Sequence, residues 1–140
     1  MELFIARQPI FDLHMHVYGY ELLYRKTREN RFIETDGDEA TANVIINAFN
    51  ILDIARFTNG RRAFVNFTGN LISQGMPSLF SKEAMIIEIL ENVVPTIEVV
   101  NACRMLKRLG YWISIDDFID RPEYSELLKL ADIIKVDFLT

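Results

Sequence analysis

Residues 84–118, AMIIEILENVVPTIEVVNACRMLKRLGYWISIDDF, decide the fold. The stretch opens on an apolar strand, Ala84–Leu90. After Pro95, the residues Val99, Ala102, Cys103 and Leu106 fall on one face of a helix. Lys107 and Arg108 occupy its last turn, where cations suit the negative end of the helix dipole, and Gly110 stops it. Tyr111–Phe118 is then the next strand. Beyond it the spacing predicts a short helix over Glu123–Leu130 and a last strand over Asp132–Leu139. On the other side, Arg61–Thr68 is a strand after the Asn59-Gly60 turn. Before that turn, Asp36-Gly37-Asp38 signals a helix start, and Val44, Ile45, Ala48, Phe49 and Leu52 share one stripe. At the N-terminal end, Leu3–Ile10 and Val17–Arg25 flank Phe11–His16 as an antiparallel hairpin. Strands dense in Ile, Val and Phe that alternate with helices imply a parallel sheet covered by helices. Both a Rossmann-type sheet and a (β/α) barrel satisfy that pattern. No Gly-x-Gly-x-x-Gly or Walker pattern follows any strand, which favours an α/β barrel. A complete barrel typically needs about 250 residues; about six strands of one are expected here.

Composition narrows the function. The 140 residues are 50% hydrophobic and 25% charged, an ordinary globular make-up read as a single domain over residues 1–140. Fifteen Lys and Arg against twenty Asp and Glu leave a net charge of −5. That balance argues against a nucleic-acid polymer or an anionic membrane as partner. An anionic ligand is still admissible where a metal ion supplies positive charge. One cysteine, Cys103, excludes an internal disulfide framework and fits a reducing compartment. A charge at Glu2 interrupts what a signal peptide would keep apolar, and no apolar run approaches the roughly 18 residues of a membrane span. A cytoplasmic setting is expected.

The informative residues are polar ones set inside apolar strands. Glu88 lies within Met85–Leu90, Asp116 and Asp117 follow Trp112–Ile115, and Lys135 interrupts Ile133–Val136. Asn66 closes Ala63–Asn66, and Glu21 lies within Tyr18–Leu23. Burying one unpaired charge costs several kcal/mol, so these groups must compensate one another or share a cation. The plain alternative is a Glu88–Lys135 ion pair inside a core. In a barrel, residues at the C-terminal ends of the strands converge on one rim. Oxygen donors from Glu21, Asn66, Glu88 and Asp116 would there form a hard-cation site for Mg²⁺ or Mn²⁺. Asp116 and Asp117 face opposite ways in a regular strand, so both serve one site only if the strand ends between them.

The same residues carry a family resemblance. Arg7–Asp12 followed by Tyr18–Arg25 resembles the opening of EAL domains, the bacterial cyclic di-GMP phosphodiesterases. Glu21, Leu23 and Arg25 match the family's Glu-x-Leu-x-Arg, with Leu22 in place of the usual alanine. Val65–Thr68 resembles its Asn-x-Ser strand end, and Glu88–Glu91 its Glu-x-x-Glu. Ile115–Phe118 resembles its Asp-Asp-Phe strand, and Ile134–Asp137 its Lys-x-Asp strand. The resemblance implies an incomplete EAL-type (β/α)8 barrel with one antiparallel strand. It further implies metal ligands at Glu21, Asn66, Glu88, Asp116 and Asp117, a catalytic lysine at Lys135, and cyclic di-GMP contacts from Gln8 and Arg25. The implied activity is hydrolysis of cyclic di-GMP to pGpG with Mg²⁺ or Mn²⁺.

Two departures qualify the activity. After Asp-Asp-Phe the family carries a Gly-Thr-Gly-Tyr-Ser-Ser loop, whereas this chain has Ile119–Tyr124 without those glycines. The family's later glutamate and glutamine lie beyond Thr140, so the chain is read as the N-terminal part of the domain. The Tyr20–Arg25 opening and the altered loop resemble the EAL-like half of EAL–HDOD proteins. The altered loop and the absence of the last barrel strands imply a catalytically impaired ligand-binding or regulatory module; the alternative is an active phosphodiesterase. The apolar edge at Asp132–Leu139 is expected to be covered by self-association or by a C-terminal segment. His14 and His16 read as hairpin-turn residues, Cys103 as core, and Arg61-Arg62 as a solvated strand start.

Overall fold

The first two strands, β1 (Phe4–Phe11) and β2 (Val17–Arg25), are joined by a turn that Asp12 ties off. Its Oδ1 accepts the backbone N–H groups of His14 (2.8 Å) and His16 (3.0 Å), while its own N–H donates to the His16 carbonyl (2.9 Å). Met15 takes the left-handed conformation that closes the turn (φ 63°). Those N–H donors, His16 first, hold the Asp12 carboxyl below its ordinary value. This computed structural model describes residues 4–25, 54–116 and 121–136. They belong to two units, Met1–Val65 and Asn66–Thr140. The expected helix around residues 44–52 lies outside the described residues.

In the first unit β1 and β2 run antiparallel, with Gln8 opposite Glu21 and a register shift at Ile10/Phe11. β2 pairs in parallel with β3 (Ala63–Asn66) through Tyr20–Ala63 and Glu21–Phe64. The approach at Gly19 is close: a Cβ there would lie 2.8 Å from the Phe64 ring and 2.9 Å from the Arg62 carbonyl oxygen. Only glycine fits. Ahead of β3 stands a short helical turn, α1 (Ile54–Phe57), followed by the left-handed pair Asn59 (φ 54°) and Gly60 (φ 77°). Arg7 donates to the Phe57 carbonyl (2.8 Å) and stacks 4.5 Å above the Tyr20 ring.

The second unit is a parallel β-α-β arrangement. Its strands β4 (Met85–Ile89), β5 (Ile113–Asp116) and β6 (Ile133–Lys135) pair in sequence order. Helix α2 (Gly69–Ser73) is capped by Thr68, whose hydroxyl accepts the Leu71 N–H (3.2 Å). The longer α3 (Ile97–Leu109) is capped in the same way, Thr96 Oγ1 accepting from Val99. It stops at Gly110 in the left-handed region (φ 100°). Val99, Val100, Cys103 and Leu106 are its buried face, and α2 and α4 (Ser125–Leu130) pack beside it. Met85, Ile87, Ile89, Ile113 and Ile115 fill the unit's core. Asp132 locks the strand starts: its Oδ2 accepts the Ile113 N–H (2.9 Å) and pairs with Lys107.

Several boundaries differ from the sequence expectation. β3 gives up Thr68, which serves as a helix cap instead. α3 starts at Ile97, two residues after Pro95, because Thr96 takes the capping position. The expected helix Glu123–Leu130 is a 3₁₀ turn (Pro122–Tyr124) running into α4. β6 begins at Ile133, because Asp132 is spent on bonding β5 and α3; residues 137–140 lie outside the described residues.

Candidate functional site

The alternation of a strand decides which side chains meet. Glu88 on β4 stands in register with Ser114 on β5, and Asp116 on β5 stands in register with Lys135 on β6. Since Ser114 and Asp116 are two residues apart, all four project from one face of the sheet. On the opposite face Ile87, Ile89, Ile113 and Ile115 are buried apolar groups. One side of this parallel sheet is therefore hydrocarbon, and the other ends in charge.

Lys135 joins the two carboxylates. Its Nζ donates to Glu88 Oε1 and stands 3.6 Å from Asp116 Oδ2. Glu88 and Asp116 present carboxylate oxygens within 4.8 Å of each other. Glu88 is fully buried (0% exposed), while the Asp116 and Lys135 side chains keep 16% and 20%. Two carboxylates and one ammonium leave a formal charge of −1 in a largely dry setting. The Glu88–Lys135 pair anticipated as the plain alternative is thus present, with a second carboxylate added to it. Hard oxygen donors of this kind fit a small divalent cation.

The remaining expected residues are placed as follows. Asn66 ends β3 half-buried, and the next residue, Phe67, donates its N–H to the Glu88 carbonyl (3.2 Å). Glu21 and Gln8 lie in the first unit as cross-strand partners, Glu21 buried and Gln8 exposed. Arg25 is the last residue of β2. Asp117 lies outside the described residues. His14 and His16 occupy the hairpin turn with exposed rings, and Cys103 is buried core whose thiol is pushed up to about 11 by burial. Sequence reasoning missed Ser114. It is fully buried beside Glu88, and its hydroxyl has no hydrogen-bond partner among the described residues.

The segment after β5 has its own tether. Pro122–Tyr124 forms the 3₁₀ turn, and the Tyr124 hydroxyl donates to the Glu91 carbonyl just past β4 (3.3 Å). Residues 122–124 are therefore a built turn.

The second unit is thus a parallel α/β arrangement with a charged sheet face. No family model matches the chain. It is 41% identical over 144 residues to the uncharacterised protein YuxH of Bacillus subtilis, spanning 99% of this chain and 35% of YuxH. It is 34% identical over 137 residues to the cyclic di-GMP phosphodiesterase CdgJ of Vibrio cholerae, spanning 97% of this chain and 32% of CdgJ. Among solved structures, the Bacillus subtilis YkuI protein, which has an EAL domain and was crystallised with cyclic di-GMP and calcium, superposes with a TM-score of 0.69. That match has 18% identity and covers 96% of this chain and 41% of YkuI. The chain shares the α/β fold of part of such EAL domains. It spans about a third of the length of the curated relatives it matches.

Proposed function

We propose that this chain is the cation- and cyclic di-GMP-binding part of an EAL-like signalling protein, impaired in hydrolysis and acting as a ligand-binding or regulatory module. The observation that carries the reading is the cluster of Glu88, Asp116 and Lys135, an arrangement of charge that a parallel-sheet core does not need. In this reading Glu21, Asn66, Glu88, Asp116 and Asp117 are the oxygen donors for Mg²⁺ or Mn²⁺. Gln8 and Arg25 contact the dinucleotide. A bound divalent ion would supply Lewis acidity toward a phosphodiester. Lys135, already against both carboxylates, would hold positive charge beside a phosphate oxygen. Impairment is argued from Ile119–Tyr124, which lacks the family's glycines and is tied by Tyr124 to Glu91. CdgJ, a phosphodiesterase by name at 34% identity, favours the second reading, an active enzyme producing pGpG.

Calorimetry with cyclic di-GMP and Mn²⁺, followed by chromatography of the mixture, tests both. Binding heat without pGpG supports the first reading, and pGpG release establishes the second. Neither heat nor product refutes the site. Glu88→Ala is expected to abolish the heat.

The same reading sets the protein in the cytoplasm; among the described residues no helix is long and apolar enough to cross a membrane. On β6 and just past it, Ile134 and Val136 are exposed (50% and 62%), in keeping with cover from a second copy or a further segment of chain. Light scattering that shows a monomer at all concentrations would exclude the second copy.

A further inference from the structure

Ser114 is a polar group on the charged face to which the reading above gives no task. It is fully buried, its hydroxyl has no partner among the described residues, and its strand partner is Glu88. A buried hydroxyl left unsatisfied costs about 1–3 kcal/mol. An alanine of nearly the same shape would avoid that cost, as the isoleucines on the other face of β5 do.

We propose that Ser114 is a positioning residue for the cation site, with its hydroxyl orienting the Glu88 carboxylate toward a bound divalent ion. The geometry supplies the reason. In the present arrangement Glu88 Oε1 is engaged by the Lys135 ammonium. A divalent ion held by Glu88 and Asp116 competes with that ammonium for the same carboxylate. Once the ion takes the ammonium's place, a hydroxyl donor beside the carboxylate helps to fix its plane. Ser114, level with Glu88 on the neighbouring strand and on the same face, is placed to give it by a rotation about χ1. The hydroxyl is then unsatisfied only in the lysine-paired state and satisfied in the ion-bound state. Its burial cost is one contribution to the preference for the ion. Groups that orient a metal ligand in this way typically change affinity 10–100-fold when removed.

The inference rests on the cation-binding reading, and the test separates the two. Mn²⁺ affinity is measured by calorimetry on the wild-type chain and on Ser114→Ala, with urea denaturation of both in chelator. The expected result has opposite signs: Ser114→Ala is as stable as wild type or more so without metal, yet binds Mn²⁺ about 10-fold more weakly. A merely structural serine would leave Mn²⁺ affinity unchanged whatever happened to stability. Equal affinity of the two proteins overturns the positioning role and leaves the cation site standing. No Mn²⁺ binding by wild type overturns both. Weaker binding accompanied by a destabilised metal-free variant also overturns it, since the hydroxyl would then be satisfied without the ion.

Discussion

Replacing Lys135 with methionine is expected to destabilise the metal-free chain sharply. The substitution keeps much of the side chain's bulk and removes an ion-pair partner that Glu88 and Asp116 share. Glu88 is fully buried, so no water replaces the ammonium there, whereas Asp116 retains some exposure. Removing one partner of a buried pair costs about 3–5 kcal/mol. With Lys135 itself 20% exposed, the lower end, about 3 kcal/mol, is the appropriate figure. An unfolding entropy near 2.1 cal/mol/K per residue over 140 residues converts this to a fall in Tm of about 10 °C. Urea and thermal denaturation followed by circular dichroism in chelator measure it. The companion variant Glu88→Met with Lys135→Met removes charge on both sides, and about 2 kcal/mol of the loss should return as coupling energy in the double-mutant cycle. A Lys135→Met loss below about 1 kcal/mol, the range of exposed pairs, with coupling near zero, would refute the claim that this cluster is buried and mutually compensated.

Gly19→Ala should cost about 1–3 kcal/mol, because the added Cβ meets the buried Phe64 ring and a backbone carbonyl that cannot both retreat; an unchanged urea midpoint would contradict that contact. Asp12 has a folded-state pKa below its ordinary 3.8, so its contribution is present above that value and is lost as pH falls through the lower one. The His14 and His16 amide resonances should titrate with a midpoint below 3.8, and a midpoint at or above it would dismiss the Asp12 turn. Cys103, buried with its thiol pushed up to about 11, should resist thiol reagents at pH 8 in the native chain and react once urea unfolds it. Rapid stoichiometric labelling of the folded protein would show that α3 does not bury it.

What the sequence disclosed followed from the strength of each local signal. The span of β2, Val17–Arg25, was legible because the hairpin turn before it is marked by polar residues and its own run is aromatic and apolar. α3 was legible from a four-residue apolar face and a glycine stop. Its first residue was not, since Pro95 and Thr96 both signal a start and the hydroxyl cap prevails. α1 and α2 span four and five residues, too short to show a helical period. Thr68, read as the end of a strand, serves instead as the cap of α2. Glu88 and Lys135 declared themselves because charge in an apolar strand demands compensation. Ser114 did not: a serine among isoleucines carries no charge, and only burial without a partner gives it meaning.

An ion pair alone would account for Glu88 and Lys135, and a core built for stability has little use for more. Methionine or leucine at both positions would fill the same space without desolvating two charges. Asp116 weakens the purely structural account, because it brings a second carboxylate to the ammonium that already pairs with Glu88. Ser114 weakens it again, since a buried hydroxyl without a partner adds cost and no packing that alanine would lack. Each of the two departs from the cheapest core in the direction that favours a cation of higher charge than lysine provides.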